Sequence, residues 1–339
     1  MNKILVTGGC GYIGSHTIID LLEQGFSVIS LDNYVNSDPE VLDWIEQISG
    51  VRVPNFNVDL VDREAVVNLF KQHPDIQGVI HFAALKSVGE SVEQPLRYYE
   101  NNLIGLLHVL EACAEFKVPN FIFSSSCSVY GNTRALPVLE STPWQEAESP
   151  YARTKQIGEQ MIRDFYRSYT AGQGILLRYF NPAGAHESGL IGESPTSNVT
   201  NLVPVITETA IGKRGQMTVF GDDYDTRDGS CIRDYIHVMD LARAHTLSLK
   251  YLMAGKNESP VEVYNVGIGQ GATVLEAIRA FEKVSGEKLN YMIGPRRAGD
   301  VEAIYANYAL AAERLGWQPQ RSMEDIMRTA WVWEQKRTK

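Results

Sequence analysis

The chain opens Lys3-Ile-Leu-Val-Thr-Gly-Gly-Cys-Gly-Tyr-Ile-Gly14 and reaches Asp32 through Phe26-Ser-Val-Ile-Ser-Leu31. Residues 3–7 predict a short buried strand, and glycines follow at once at positions 8, 11 and 14. From Ser15 to Gln24 the apolar residues Ile18, Leu21 and Leu22 recur at helical spacing, and Gly25 supplies a stop. Residues 26–31 predict the next strand, closing at Asp32. Strand, glycine loop, helix, strand and acid stand here in the order that binds a dinucleotide. Gly8, Gly11 and Gly14 allow a tight turn, close approach of backbone to a pyrophosphate and tight helix packing. Their pattern is Gly-x-x-Gly-x-x-Gly rather than Gly-x-Gly-x-x-Gly. Asp32 suits the adenosine ribose hydroxyls and repels a 2′-phosphate, which favours NAD over NADP.

The alternation continues outward. Residues 51–58 are strand-like and end at Asp59-Leu60, where an adenine edge can be read. A helix over 62–72 precedes the strand 78–82, which runs into Ala83-Ala84-Leu85-Lys86. A long helix over 93–116 carries Asn101, and the strand 120–124 delivers Ser124-Ser125-Ser126 to the same edge. A helix from Pro150 and a strand over 175–180 complete an α/β fold, a Rossmann-type doubly wound parallel sheet. Past 183 the rhythm breaks. Residues 188–201, with Gly189, Gly192 and Pro195, read as a substrate-covering loop. Helices over 202–213, 240–254, 272–285, 307–315 and 322–335, with strands at 217–220, 261–266 and 288–293, form a smaller interleaved α/β unit. The expected division is 1–182, joined by segments near 233–267, and 183–339.

Ser149-Pro150-Tyr151-Ala152-Arg153-Thr154-Lys155 marks a helix start, with Ser149 as N-cap and Pro150 in the first position. Tyr151 and Lys155, four apart, share a face. A lysine ammonium beside the phenol is expected to lower its pKa and make Tyr151 a general base. Tyr-x-x-x-Lys alone occurs by chance on many helices; here it follows a dinucleotide loop. Ser126, at a strand end just before this helix, can hold a substrate hydroxyl or relay its proton.

The 339 residues include 44% hydrophobic and 21% charged, with net charge −10, which argues against a nucleic-acid surface. An anionic small ligand stays compatible with that charge, because an arginine pair and helix N-termini act locally. Cys10, Cys113, Cys127 and Cys231 form no Cys-x-x-Cys pair and read as thiols in a reducing compartment. The first residues are apolar too briefly for a signal peptide, and no run approaches the roughly 18 apolar residues of a membrane span. Asn198-Val199-Thr200 and Asn257-Glu258-Ser259 match the glycosylation sequon by chance. The seven histidines and the acids show no metal-ligand spacing, so no metal is expected. A cytoplasmic enzyme is the expectation.

These residues resemble the extended short-chain dehydrogenase/reductase superfamily, which places its cofactor loop at Gly8, Gly11 and Gly14 and its catalytic trio at Ser126, Tyr151 and Lys155. Longer stretches are similar to one family within it, the UDP-glucose 4-epimerases: Thr7–Thr17, Ile80–Lys86, Val88–Val92, Arg178–His186 and Arg233–Leu241. Departures are Ala152 and Thr154 near the tyrosine, Cys127-Ser128 after the serine, and Thr200-Asn201-Leu202, where one asparagine of an Asn-Asn-Leu segment is lost. None of these exchanges removes an acid or base.

The resemblance implies interconversion of UDP-glucose and UDP-galactose at C4 through a 4-keto sugar, with tightly held NAD. Tyr151 takes the 4-hydroxyl proton, directly or through Ser126, and Lys155 binds the nicotinamide ribose. It implies NAD contacts from Tyr12, Ile13, Asn33, Asp59, Leu60, Phe82, Ala83, Lys86, Asn101, Tyr179 and Phe180. UDP-sugar contacts fall on Asn181, Asn201, Leu202, Phe220, Tyr235 and Asp300, with Arg233 and Arg297 on the diphosphate and Ile304 lining the hexose pocket. Isoleucine is intermediate in size, which favours glucose and galactose over N-acetylated sugars. UDP-N-acetylhexosamine and UDP-hexuronate epimerases are alternatives. A 4,6-dehydratase needs acids where Cys127 and Ser128 stand, and a non-catalytic NAD sensor commonly loses the tyrosine or lysine that this chain keeps. The resemblance further implies a homodimer through the helices at 93–116 and 150–170, where Leu103, Leu106, Leu107 and Leu110 exceed one narrow stripe.

Overall fold

The computed structural model describes residues 2–194, 199–297 and 300–337. Pro195 of the expected covering loop, Asn198 of the first sequon and Lys339 lie outside the described residues. In chain order the first half runs β1 (Lys3–Thr7), α1 (Tyr12–Glu23), β2 (Ser27–Leu31), α2 (Val41–Ser49), β3 (Asn55–Phe56), α3 (Arg63–Gln72) and β4 (Ile76–His81). Next come α4 (Val88–Glu93), α5 (Pro95–Tyr99), a π-helical turn (Glu100–Ile104), α6 (Gly105–Glu115), β5 (Asn120–Ser126), a 3₁₀ turn (Cys127–Tyr130), α7 (Pro150–Ser168) and β6 (Gln173–Tyr179). The second half holds β7 (Asn181–Ala183), α8 (Leu202–Ala210), β8 (Met217–Phe220), β9 (Ile232–Arg233), β10 (Tyr235–His237), α9 (Val238–Met253) and β11 (Val261–Val266). It ends in β12 (Ala272–Thr273), α10 (Val274–Ser285), β13 (Tyr291–Gly294), β14 (Ala303–Ile304), α11 (Ala309–Leu315) and α12 (Met323–Arg337).

Seven parallel strands form the central sheet in the order β11-β6-β5-β4-β1-β2-β3. The order reverses at β1, which lies between β2 and β4, and the glycine loop leaves β1 at that point. A parallel sheet is covered on both faces, and the side chains alternate accordingly. Ile4, Val6, Ile80, Ile122 and Leu177 pack with Ile18 of α1 and Leu249 of α9. Leu5, Val79, Phe121, Phe123 and Leu176 pack with Val66 of α3, Val109 of α6 and Ile162 of α7. A third core joins Ile206, Val219, Phe281 and Met327 from the second half. β11 returns to the sheet beside β6, in register from Val261 opposite Gly174 to Val266 opposite Tyr179.

Two expectations change. The strand-like run 51–58 pairs only at Asn55–Phe56, because it is the sheet edge and Pro54 has no amide to give a ladder. The single helix over 93–116 is broken. Gln94 leaves helical geometry (φ −129°, ψ 58°), Pro95 restarts the chain as α5, and a π-helical turn follows before α6. The wide apolar face also splits, since Leu106 and Leu110 enter the core while Ile104 and Leu107 are exposed. Among the described residues, no helix is long and apolar enough to cross a membrane.

Four histidines are buried: His16, His81, His237 and His245. Burial depresses their pKa values to about 4, 3, 3 and 4 respectively. Their folded values lie below the unfolded one, so their contribution to stability is complete above about pH 6.5 and is lost as pH falls toward the folded values. Melting at pH 5.5 is expected to occur about 5 °C or more below melting at pH 7.5, by circular dichroism. Equal melting temperatures would mean that these imidazoles are not held neutral by the fold.

Candidate functional site

The loop between β1 and α1 is shaped by missing side chains. Gly8 takes a positive φ of 68°, and a Cβ there would stand 2.8 Å from the Ala83 amide nitrogen. A Cβ at Gly14 would stand 2.2 Å from the Gly8 carbonyl oxygen, so α1 lies directly on the loop. Gly11 is less crowded, with the same oxygen at 3.2 Å. Gly9, outside the three-and-three pattern, is equally constrained, because its Cβ would meet Ser30 Oγ at 2.3 Å. Gly11 caps α1 without a side-chain hydrogen bond, and no acid occupies the first turn. The first-turn amides and the positive end of the helix dipole therefore face the loop.

Asp32 stands at the end of β2 with its carboxylate fixed by three donors: the Cys10 amide at 3.0 Å, the Tyr34 amide at 2.9 Å and Ser37 Oγ at 2.7 Å. Asn33 and Asp59 each accept a bond two residues on, from Val35 and Val61. Leu60 is buried beneath Gly105. Phe82 stacks obliquely on His245 with ring centroids 4.6 Å apart, and Thr7 Oγ1 accepts from the Ala83 amide at 3.3 Å. Asn101 Nδ2 donates to Asn102 Oδ1, and the buried Asn102 clamps both backbone groups of Leu85 at 2.8 and 3.0 Å. A cradle that any Cβ would fill, an uncapped helix end and an aimed carboxylate fit a dinucleotide.

Ser149 Oγ caps α7 through the Ala152 amide at 3.2 Å, which sets Tyr151 in the first turn beside the end of β5. Ser126 Oγ accepts from the Ser128 amide at 3.2 Å. The expected effect of Lys155 on Tyr151 is not what the structure shows. Lys155 Nζ donates to the Ser124 carbonyl at 2.7 Å and lies 4.9 Å from the Phe123 ring centroid, against 5.9 Å for the Tyr151 ring. Burial pushes the Tyr151 phenol well above its ordinary range, Tyr179 and Cys127 add to this, and only the Ser126 hydroxyl opposes it. Lys155 itself is lowered to about 8 by burial, with Glu159 pulling the other way. The reason is desolvation: both members of the pair leave water, and each loses its charged form. Tyr179 shares a 2.5 Å hydrogen bond with Ser124, and Phe180 is buried beside it in the chain.

Short ladders bring the remaining candidates together. β7 and β10 set Asn181 opposite Tyr235, while β9 and β14 set Arg233 opposite Ile304. Asp234, between them and fully buried, accepts the amides of Ile268, Gly269 and Ala306 and so fixes the segment. Arg233 and Arg297 both reach Asp300, at 3.4 and 2.8 Å. The Arg297 guanidinium lies over the half-exposed Phe220 ring at 5.5 Å. Ile304 is buried with Val129, Tyr130 and Phe180, and Cys127 packs against them. Asn201 caps the start of α8 just before Leu202, and its Nδ2 donates to Glu193 at 2.7 Å. Lys86 pairs with the same Glu193 carboxylate at 3.7 Å, linking the two sides of the site. No motif marks Glu193. Asn102 and Asp234 were visible only as neighbours of Asn101, Arg233 and Tyr235.

The glycine geometry has a direct consequence. Gly14→Ala is expected to cost about 1–3 kcal/mol of folding stability through overpacking, and Gly11→Ala clearly less, by urea unfolding. Equal losses would mean that α1 does not rest on the Gly8 carbonyl.

Comparison with known proteins agrees with this geometry. Residues 5–330 match the family described as GDP-mannose 4,6 dehydratase. A UDP-glucose 4-epimerase from Mus musculus is 46% identical over 342 residues, covering 99% of this chain and 97% of that protein. The UDP-glucose 4-epimerase of Stenotrophomonas maltophila, solved with NAD and formylated UDP-arabinopyranose, superposes with a TM-score of 0.96 at 41% identity over 100% of this chain and 99% of that one. The Bifidobacterium longum enzyme, solved with NAD⁺ and UDP, gives 0.94 at 43% identity over 99% of both chains. With the glycine loop, the sheet order and nearly its whole length held in common, the chain belongs to the UDP-glucose 4-epimerase family.

Proposed function

We propose that this chain interconverts UDP-glucose and UDP-galactose by inverting C4 of the hexose, with NAD held between turnovers. The observation that carries this is one continuous set of contacts. On one side, Thr7 at the glycine loop bonds His81 at 2.9 Å, and His81 feels the Lys155 charge. On the other, Cys127 next to Ser126 packs with Ile304 and feels Arg233. Tyr151 and Ser126 thus lie between a dinucleotide cradle and a pair of arginines.

The residues that would hold NAD are Gly8, Gly11, Tyr12, Ile13 and Gly14 at the pyrophosphate and Asp32 with Asn33 at the ribose. Asp59, Leu60, Phe82, Ala83, Lys86, Asn101, Tyr179 and Phe180 complete the set. NAD⁺, when bound, supplies a hydride acceptor and a positive charge. Tyr151 accepts the 4-hydroxyl proton and returns it, with Ser126 as hydrogen-bond partner. A phenol raised by burial is a poor base on its own, so its task depends on positive charge brought near it. Arg233 and Arg297, oriented by Asp300, suit the diphosphate with their guanidinium forks. Asn181, Asn201, Leu202, Phe220 and Tyr235 serve the rest of the nucleotide sugar. Firm contacts to UDP and loose ones to the hexose let a 4-keto sugar turn without escaping.

Elimination across a sugar, the dehydratase chemistry, lacks a carboxyl group at Cys127 and Ser128. The lower half of the site belongs with residues 1–182 and the returning segment near 233–267, the sugar-nucleotide half with 183–339. We assign the chain to the cytoplasm, where Cys10, Cys113, Cys127 and Cys231 stay as thiols. A homodimer through the helices at 93–116 and 150–170 is supported, on the first of these, by exposed Leu96, Ile104 and Leu107.

Purified protein given UDP-galactose is expected to form UDP-glucose without added NAD. No product, with NAD confirmed bound, would move the substrate to uronate sugars. Tyr151→Phe should lower turnover by about 10²-fold or more while UDP affinity stays within a few-fold; equal losses in both would reject the role. Ile304→Gly should raise activity on N-acetylated UDP-sugars about tenfold or more, and an unchanged preference would remove Ile304 from the pocket.

A further inference from the structure

Glu159 lies one helical turn beyond Lys155 on α7 and is completely buried. Arg178 of β6 binds its carboxylate with two nitrogens, at 2.8 and 2.6 Å, and Ser125 Oγ donates to it at 2.5 Å. Arg163 from the next turn approaches to 3.6 Å. Arg178 continues to the Tyr130 hydroxyl and the Glu140 carbonyl, both at 3.1 Å, and Tyr130 donates to Asn265 of β11 at 2.6 Å. A buried ion pair satisfied this fully is costly to break by removing one partner.

Ser125 is the middle of the serine trio. Its neighbour Ser124 gives the carbonyl that Lys155 binds, and its other neighbour Ser126 meets Tyr151. The groups around the Lys155 ammonium are the Phe123 ring and Ser124 carbonyl of β5, the neutral His81 of β4 and the Tyr151 phenol of α7, while the Tyr179 hydroxyl of β6 bonds the Ser124 side chain. The nearby cations Arg178 and Arg163 are directed at Glu159. Glu159 is the carboxylate that acts on Lys155, and it opposes the loss of its proton.

We propose that Glu159 is a positioning residue for the epimerisation, holding Lys155 as an ammonium and fixing the Ser124–Ser126 strand end against Tyr151. The proposal rests on the functional reading above, and two readouts separate their failures. Protein carrying ¹³C at lysine Cε is titrated by NMR, with Lys155 assigned through Lys155→Arg, and the pH profile of kcat/KM is measured alongside. Glu159→Gln is expected to move the Lys155 titration and the alkaline limb down by about one pH unit. It should lower kcat about tenfold or more with KM changed less than twofold. Arg178→Gln breaks the same pair but leaves the carboxylate, so its titration and limb should stay at or above the wild-type values. The neutral pair Glu159→Gln with Arg178→Gln decides the case if neither single variant folds, and it should keep the lowered titration. A Lys155 titration unchanged in Glu159→Gln, or moved the same way in both single variants, overturns the proposal. An inactive wild-type chain would reject the functional reading, and the NMR titration would still test the hold of Glu159 on Lys155.

Discussion

Everything in this site follows from one close approach: at Gly14, α1 comes so near the Gly8 carbonyl that no carbon fits between them. That contact fixes how the helix leaves the sheet. It keeps the amides of the first turn pointing across the crevice where the strand order reverses, rather than into a capping side chain. Asp32 then completes the arrangement from the next strand, its carboxylate tied back to the Cys10 amide within the same loop. The cradle is thus a single unit of backbone and one acid, with almost no side-chain freedom left to it.

The second governing effect is desolvation. The chain carries a net charge of −10, yet the site gathers Lys155, Arg233 and Arg297 and balances them unevenly. The two arginines share the largely buried Asp300, Arg233 mostly covered and Arg297 half in solvent. Lys155 sits among a ring, a carbonyl and neutral side chains, and the tyrosine beside it is neutral for the same reason. On the proposed function, the catalytic tyrosine rests neutral in the free chain and becomes a base only when charge enters with the ligands. The cysteines obey the same rule, since burial raises the Cys10 and Cys127 thiols to about 12 and leaves them inert.

Local patterns were legible in the sequence, and distant ones were not. The strand-glycine-helix-strand-acid run could be read because each residue's task is set by its near neighbours. The cap at Ser149 and the first-turn place of Tyr151 could be read for the same reason. The return of β11 to the sheet was also legible from its apolar run. The sign of the Tyr151 shift was hidden, because it comes first from burial in the folded chain and then from Tyr179, Cys127 and Tyr98 on other elements. Glu193, Asp234 and Glu159 were hidden too, since an acid announces nothing until partners distant in chain order, Lys86 for Glu193, Ala306 for Asp234 and Ser125 for Glu159, fold onto it. The break in the expected 93–116 helix could have been weighted from Pro95, but the π-helical turn answers to Asn102 reaching Leu85 across the fold.

The late return of β11 also bears on how the chain is made. β6 ends at Tyr179, and its outer neighbour is not complete until Val266. During synthesis on a ribosome the growing sheet therefore carries a bare β6 edge while the whole intervening stretch is translated. An unpaired, buried-type strand edge is a template for unwanted pairing. The interleaving that builds the site thus leaves the nascent chain dependent on shielding until its own later segment arrives.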